Sequence, residues 1–126
     1  MPDIRLVVRC FPTEDRARVA RAITQLFPDA VIEGDDPLTA RADSVEAFSE
    51  QLARQRIRAA ARKVLRRGMS DGRTSFRLNK QVAFIGKISF SEEDHALGDI
   101  EVTISDEDIA STIDALAPRP QPEGGQ

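Results

Sequence analysis

Residues 53–90 read ARQRIRAAARKVLRRGMSDGRTSFRLNKQVAFIGKISF, and they decide the fold because the spacing of apolar residues changes within them. Up to Gly68 the apolar residues recur mostly at helical spacing, which is typical of a helix with one buried face. After Gly72 apolar and polar residues alternate, which is typical of strands with one buried face. The stretch therefore predicts a helix followed by strands, with the helix packed on one face of their sheet.

The helical tract extends upstream of this stretch and contains a break. Asp43, with Glu46 three residues later, predicts a capping box at its start. The step from Leu52 to Ile57 is five residues long, so the apolar positions lose the helical phase there. We therefore expect a kink or two helices, joined near residues 54–56. In the second part, the residues expected on the buried side are Ile57, Ala60, Ala61, Val64 and Leu65.

Two strands are expected after the helix, over residues 73–78 and 82–90, because apolar and polar residues alternate in both. Residues 79–81, Asn-Lys-Gln, would join them as a short hairpin loop. In the simplest register Arg73 lies opposite Lys87, and like charges at opposite positions are unfavourable. An anion between them, solvent or a shifted register would relieve the repulsion.

The remaining elements lie on both sides of residues 53–90. The further strands predicted from alternation are residues 4–10, 30–33, 38–42 and 100–104. Helices are expected to begin at Thr13 and Ser105, each a good N-cap, and to end before Pro28 and Pro118. The tail, residues 119–126, is expected to be disordered.

Together the elements predict an α+β fold, a two-layer arrangement in which helices pack on one face of a mostly antiparallel sheet. Residues 1–118 would form one domain that is large enough to bury a core without disulfides or metals. The residues expected on the inner face of the sheet are Ile4, Leu6, Val8, Phe76, Leu78, Phe84, Ile88, Val102 and Ile104. Those expected on the outer face are Arg5, Arg9, Arg73, Arg77 and Lys87 beside Val7, Ala83 and Ile85. The outer face could contact nucleic acid or pair two copies of the protein.

The charge of the chain is concentrated in the same stretch. Residues 53–90 contain eleven basic residues and one acid, a formal charge of +10, whereas the rest of the chain carries seven basic and twenty acidic residues, a formal charge of −13. The total of −3 therefore hides a basic segment, and such asymmetry points to a polyanion as partner. Fifteen of the eighteen basic residues are arginines, whose planar guanidinium suits two-point contact with phosphate.

The composition, 40% hydrophobic and 31% charged, is that of a globular protein. Cys10 is the only cysteine and cannot form an internal disulfide. The sequence has no apolar run long enough to span a membrane and no signal-peptide pattern. A cytoplasmic location is therefore expected.

The sequence contains no constellation of residues that indicates catalysis, a metal site or a cofactor. His95 is the only histidine, which weakens a histidine-based zinc site or a Ser-His-Asp triad. The acidic residues 92–94 and 106–108 could hold Mg²⁺ for metal-dependent RNA processing, but a solvated loop and helix-dipole compensation explain them better. The chain has no Trp and no Tyr to stack on single-stranded bases, which favours recognition of folded RNA through phosphates and shape.

The polar face of residues 57–67 is wholly basic and has no acid three or four positions away within the helix. An ordinary solvated face is one explanation. We interpret residues 54–87 as the basic helix and hairpin of a non-enzymatic RNA-binding module; the alternative is a dimeric structural or adaptor protein whose basic strip meets an acidic protein surface. The residues expected to contact RNA are Arg58, Arg62, Lys63, Arg66, Arg67, Arg73, Arg77, Asn79, Lys80, Gln81 and Lys87.

Seven short motifs between residues 4 and 118 carry a resemblance to a known family. They are residues 11–15 (FPTED), 26–28 (LFP), 55–57 (QRI), 60–62 (AAR), 65–68 (LRRG), 78–87 (LNKQVAFIGK) and 116–118 (LAP). These motifs resemble those of the archaeal uncharacterised protein family UPF0201, whose members are predicted to bind RNA. The longest motif, residues 78–87, is the most specific.

The resemblance implies an α+β fold similar to that of the large-subunit ribosomal protein that binds 5S rRNA. It also implies a homodimer in an archaeal cytoplasm, with RNA, ribosomal RNA included, as the partner, and no enzymatic activity. The segment Asn79-Lys80-Gln81 would be a binding element, with a tight structural turn as the alternative. Where this chain has Arg77, the resemblance implies an uncharged and often aromatic residue, so Arg77 is a departure from the family pattern.

Overall fold

The computed structural model describes residues 2–91 and 98–118. Its centre is a six-stranded sheet in the order β2-β3-β1-β6-β5-β4, with every neighbouring pair antiparallel. The strands are β1 Asp3–Val8, β2 Val31–Glu33, β3 Leu38–Ala42, β4 Met69–Ser70, β5 Arg73–Asn79 and β6 Asp99–Ser105. The helices are α1 Arg16–Leu26, α2 Glu46–Arg54, α3 Arg58–Arg67, α4 Lys80–Ala83 and α5 Ile109–Leu116. This architecture confirms the predicted α+β fold.

One face of the sheet forms the core together with the helices. On β1, Ile4, Leu6 and Val8 are buried and alternate with exposed residues, and a similar alternation runs along β5 and β6. Buried residues of α1, α2, α3 and α5 belong to the same hydrophobic cluster, in which the rings of Phe27 and Phe48 stack 5.2 Å apart. Burial of each large apolar side chain contributes about 1.5–3 kcal/mol, so this cluster is the main source of stability.

The long helical tract is interrupted where its apolar phase predicts a break. α2 ends at Arg54 and α3 begins at Arg58, and between them Arg56 has a φ of 59°, a left-handed conformation that side chains disfavour. The Gln55 side chain accepts a hydrogen bond from the backbone N–H of Ile88 at 2.7 Å and donates one to its carbonyl at 2.8 Å. The break is therefore fastened to the segment that follows α4.

The predicted helix starts are wrong by two or three residues. Asp15, rather than Thr13, caps α1, and Asp108, rather than Ser105, caps α5. α2 begins at Glu46 with no side-chain cap, so the predicted capping box is absent. Several short polar residues lie near each helix start, so the sequence does not single out the residue that caps the helix. Ser105, for example, is still paired in β6 and so cannot begin α5.

The hairpin predicted after the helix is wrong, because residues 79–81 do not form a loop. Asn79 is the last residue of β5, and its side chain accepts a hydrogen bond from the backbone N–H of Val82 at 3.1 Å, which caps α4. An apolar run of this length suits a buried helical turn as well as a strand. Of the predicted second strand, residues 82–90, only the end lies beside β5, through a single bridge between Phe90 and Leu78.

β5 pairs instead with β6 along its whole length. Arg73 therefore lies opposite Ser105 rather than opposite Lys87, and the argument for an anion between two like charges no longer applies. Of the apolar residues expected on the outer face, Ala83 is buried in α4, and Ile85 is 70% exposed in the turn after α4 rather than on the sheet.

Two groups of sequence features lie outside the described residues. One is the segment of residues 92–97, with His95 and the first acidic cluster. The other is the tail of residues 119–126.

Candidate nucleic-acid interface

Folding divides the basic stretch into exposed and buried residues. Of its eleven basic side chains, eight are exposed and have no carboxylate oxygen within 4.0 Å among the residues that the structure describes. These eight, which we call the basic surface, are Arg54, Arg56, Arg58, Lys63, Arg66, Arg67, Arg73 and Lys87. The basic surface retains most of the charge that the sequence concentrates in residues 53–90.

Two contacts fix segments that carry residues of the basic surface. The paired hydrogen bonds between Gln55 and Ile88 place Lys87 beside the break between α2 and α3. At the other end of α3, Gly68 lies directly against β5, since a Cβ at Gly68 would be 2.1 Å from the carbonyl oxygen of Ser75. Only glycine permits so close an approach. The end of α3, with Arg66 and Arg67, therefore lies against β5, the strand that begins at Arg73.

Arg62 is a predicted contact residue that the structure buries. It is 8% exposed, whereas Ala60, expected on the buried side, is exposed, so α3 is rotated relative to the prediction. The Arg62 guanidinium donates hydrogen bonds to the Asp114 carboxylate at 2.5 Å and to the Ala117 carbonyl at 3.2 Å. Carbonyls at a helix C-terminus attract cations. Arg62 therefore fastens α3 to the end of α5 and is removed from the candidate interface.

Lys80 is buried as well, at 1% exposed. Its Nζ donates hydrogen bonds to the Glu14 carboxylate and to the Arg9 carbonyl, both at 2.9 Å. The same ammonium lies 5.5 Å from the centre of the Phe11 ring. All three partners belong to the connection between β1 and α1, so Lys80 ties that connection to α4 and does not face solvent.

The other predicted contact residues differ in their accessibility. Arg77 is half-buried, with its guanidinium 3.9 Å from the carboxylate of Asp99, whose side chain is 4% exposed. The Asn79 side chain is occupied as the cap of α4. Gln81 is exposed on α4 and remains available to a partner.

A groove of about 700 Å³ lies where α3 ends against the sheet. Its described lining residues are Val64, Arg67 and Gly68 from α3 and its end, Ser75, Phe76 and Arg77 from β5, Glu101, Val102 and Thr103 from β6, and Ser91. Ser75 lies opposite Thr103, with their hydroxyl oxygens 3.3 Å apart, and Arg77 lies opposite Glu101. The groove therefore joins the basic surface, through Arg67, to the open face of the sheet. No sequence pattern indicated it, because its walls come from three separate segments.

Cys10 and Asp106, which lie outside the basic surface, have shifted pKa values with structural causes. Burial raises the pKa of the Cys10 thiol. Hydrogen bonds from the backbone N–H of Asp108 and from the Thr112 hydroxyl lower the pKa of Asp106 at the start of α5. Asp106 thus organises the helix start, in line with the structural explanation of its acidic cluster.

Within residues 2–91 and 98–118, no group of three or more His, Cys, Asp or Glu side chains is placed to hold a metal ion. Across the same residues, no helix has the length and apolarity that crossing a lipid bilayer requires.

The class of protein follows from a match to a family model. A model described as RNA binding matches residues 3–105 and so includes the sheet, the basic surface and the groove. A UPF0201 protein of Methanothermobacter thermautotrophicus is 39% identical over 110 residues, which cover 84% of this chain and 83% of the relative. A UPF0201 protein of Methanocaldococcus jannaschii is 41% identical over 117 residues, which cover 86% of this chain and 68% of the relative. The chain belongs to the archaeal UPF0201 family.

Solved structures of UPF0201 proteins share the fold described above. One, an uncharacterised UPF0201 protein, has a TM-score of 0.87 at 32% identity and covers 95% of this chain and 98% of its own. Another, from Methanococcus jannaschii, has a TM-score of 0.86 at 35% identity and covers 98% of this chain and 97% of its own. The likeness to the 5S-rRNA-binding ribosomal protein stays a prediction.

Proposed function

We propose that this protein is a non-enzymatic RNA-binding protein whose basic surface contacts the phosphates of folded RNA. The observation that carries the proposal is the presence of eight exposed cationic side chains with no carboxylate neighbour among the described residues. Neighbouring acids would weaken the positive potential, and here they are missing from the cluster. The family model described as RNA binding supports the same function.

The composition of the basic surface suits contact with RNA phosphates. Six of the eight side chains are arginines, whose planar guanidinium can bind two phosphate oxygens at once. In folded RNA the deep major groove hides the base edges, whereas the phosphates and the 2′-hydroxyls are accessible. Affinity would therefore come from the RNA backbone, and selectivity from the shape of the RNA.

The test is the salt dependence of RNA affinity in two variants with equal charge change. If about six phosphates are contacted, affinity falls by about a thousandfold between 50 and 200 mM salt. Lys63→Glu with Arg66→Glu should weaken binding and lower the slope of log K against log salt by about two. Arg21→Glu with Arg41→Glu, at exposed positions on α1 and β3, should leave the slope unchanged. Equal losses in both variants, or no affinity at low salt, would contradict the proposal.

Arg62 is unsuited to this test. Its substitution would remove the ion pair with Asp114 that fastens α3 to α5. A loss of binding in such a variant would report unfolding.

The proposal includes three finer expectations that the family resemblance supports: a homodimer, an RNA target that includes ribosomal RNA, and a cytoplasmic location. Solution mass tests the dimer, and sequencing of RNA crosslinked to the protein in native cells identifies the target. If an acidic protein is recovered in place of RNA, the adaptor alternative is favoured, because the basic surface would then face carboxylates.

A further inference from the structure

The groove beside the end of α3 contains one carboxylate among cations and hydroxyls in its described lining. Glu101 is exposed on β6, directly opposite Arg77 of β5. Two positions further along the same strands, the hydroxyls of Ser75 and Thr103 lie 3.3 Å apart. Arg67, in the last turn of α3, also lines the groove. The groove therefore offers a cation, hydroxyls and a strong hydrogen-bond acceptor in one place.

Arg77 lies beside a carboxylate with little exposed area at this groove. The Asp99 carboxylate accepts a hydrogen bond from the Ser91 hydroxyl at 2.9 Å and lies 3.9 Å from the Arg77 guanidinium. The backbone N–H of Ser91 also donates to the Arg77 carbonyl, at 2.9 Å. The guanidinium of Arg77 is half-buried, and its planar face suits stacking on a base. Arg67 belongs to the basic surface and is the cation that a phosphate would meet.

Glu101 is unfavourable for a bare phosphate backbone, because an ionised carboxylate only accepts hydrogen bonds and repels phosphates. The DNA backbone offers it no donor. Each ribose of RNA carries a 2′-hydroxyl that can donate. The volume of about 700 Å³ lies within the roughly 300–1,000 Å³ of small-ligand sites, so one nucleotide fits.

We infer that this groove holds one nucleotide of the bound RNA, with Arg67 on its phosphate and Glu101 accepting a hydrogen bond from its ribose 2′-hydroxyl. The inference rests on the RNA binding proposed above. It adds the contact by which the protein would prefer RNA to DNA. The basic surface supplies affinity for a nucleic-acid backbone, and Glu101 supplies the preference for ribose.

The test compares an RNA stem-loop with the same sequence carrying 2′-fluoro groups, which keep RNA-like helix geometry but cannot donate. Fluorescence anisotropy at one salt concentration gives the ratio of the two affinities. Glu101→Ala should lower this ratio about tenfold, because a hydrogen bond to a charged acceptor has an effect of about that size. Glu33→Ala removes the same charge at an exposed position on β2 and should leave the ratio unchanged.

A second pair of variants tests the groove by filling it. Ser75→Phe should lower both the RNA affinity and the ratio. Thr39→Phe, at an exposed position of β3 that does not line the groove, should change neither. Thermal unfolding of all four variants distinguishes ribose recognition by Glu101 from a purely structural role. If the role is structural, Glu101→Ala would lower the unfolding temperature and leave the ratio unchanged.

The two proposals fail in distinguishable ways. If Lys63→Glu with Arg66→Glu weakens binding while Glu101→Ala and Ser75→Phe leave the ratio unchanged, the groove inference is overturned and RNA binding by the basic surface stands. If the parent protein binds no RNA at low salt, both are overturned.

Discussion

Replacing Lys80 by methionine should destabilise the fold strongly without acting directly on the RNA-binding surface. Lys80 Nζ has no exposed area and donates to Glu14 and to the Arg9 carbonyl at 2.9 Å. Methionine retains much of the apolar chain but removes the cation. The Glu14 carboxylate is 9% exposed and would lose its cation. It would still accept the hydrogen bond from the backbone N–H of Phe11, at 3.0 Å.

The size of the effect follows from the uncompensated charge. Removing one partner of a buried ion pair costs about 3–5 kcal/mol. The free energy of unfolding of a globular protein is roughly 5–15 kcal/mol, so a large fraction would be lost. At about 3–5 °C per kcal/mol for a domain of this size, the unfolding temperature should fall by about 10–25 °C.

The assay is thermal unfolding by circular dichroism, combined with RNA affinity measured well below the transition. Glu14→Gln combined with Lys80→Met should recover part of the loss, because neither charge remains. Lys87→Met is the matched control. Because Lys87 is exposed, the free energy of unfolding of this variant should stay within about 0.5 kcal/mol of that of the parent protein. If Lys80→Met unfolds at the parent temperature, or weakens RNA binding in the fully folded state, the reasoning is refuted.

Two further substitutions test contacts at the ends of elements. A hydrogen bond from the Arg9 guanidinium holds the pKa of Asp36 below its ordinary value of 3.8, so its stabilisation is complete above that value and is lost as the pH falls through the folded pKa. Asp36→Asn should therefore lower the unfolding temperature at pH 7, and the difference from the parent should shrink below pH 3.8; a difference that is constant down to pH 2 would contradict this. Gly68→Ala would place a methyl group 2.1 Å from the Ser75 carbonyl oxygen, so α3 must shift from β5; urea unfolding should show a loss of about 1–3 kcal/mol, and unchanged stability would show that the approach is looser than described.

The elements with clear periodicity were predictable from the sequence. Alternation identified β1, β3, β5 and β6, because each has one face in the core and one face open. The five-residue step from Leu52 to Ile57 located the break between α2 and α3. These features are local, and each segment shows them without reference to the rest of the chain.

The segment after β5 was misread because two of its residues have partners that local patterns do not reveal. Asn79 caps a helix instead of turning a hairpin, and Lys80 is drawn inside by Glu14, 66 residues away. Residues 82–85 are apolar throughout, so their spacing does not distinguish a helical turn from a strand.

The sequence by itself determined the α+β class and the segment in which the positive charge lies, because periodicity and charge are properties of neighbouring residues. Only the tertiary structure decided which cations face solvent. Arg62 pairs with Asp114 across 52 residues, and the walls of the groove come from α3, β5 and β6. Such contacts depend on how distant segments pack, and no spacing along the chain encodes that packing.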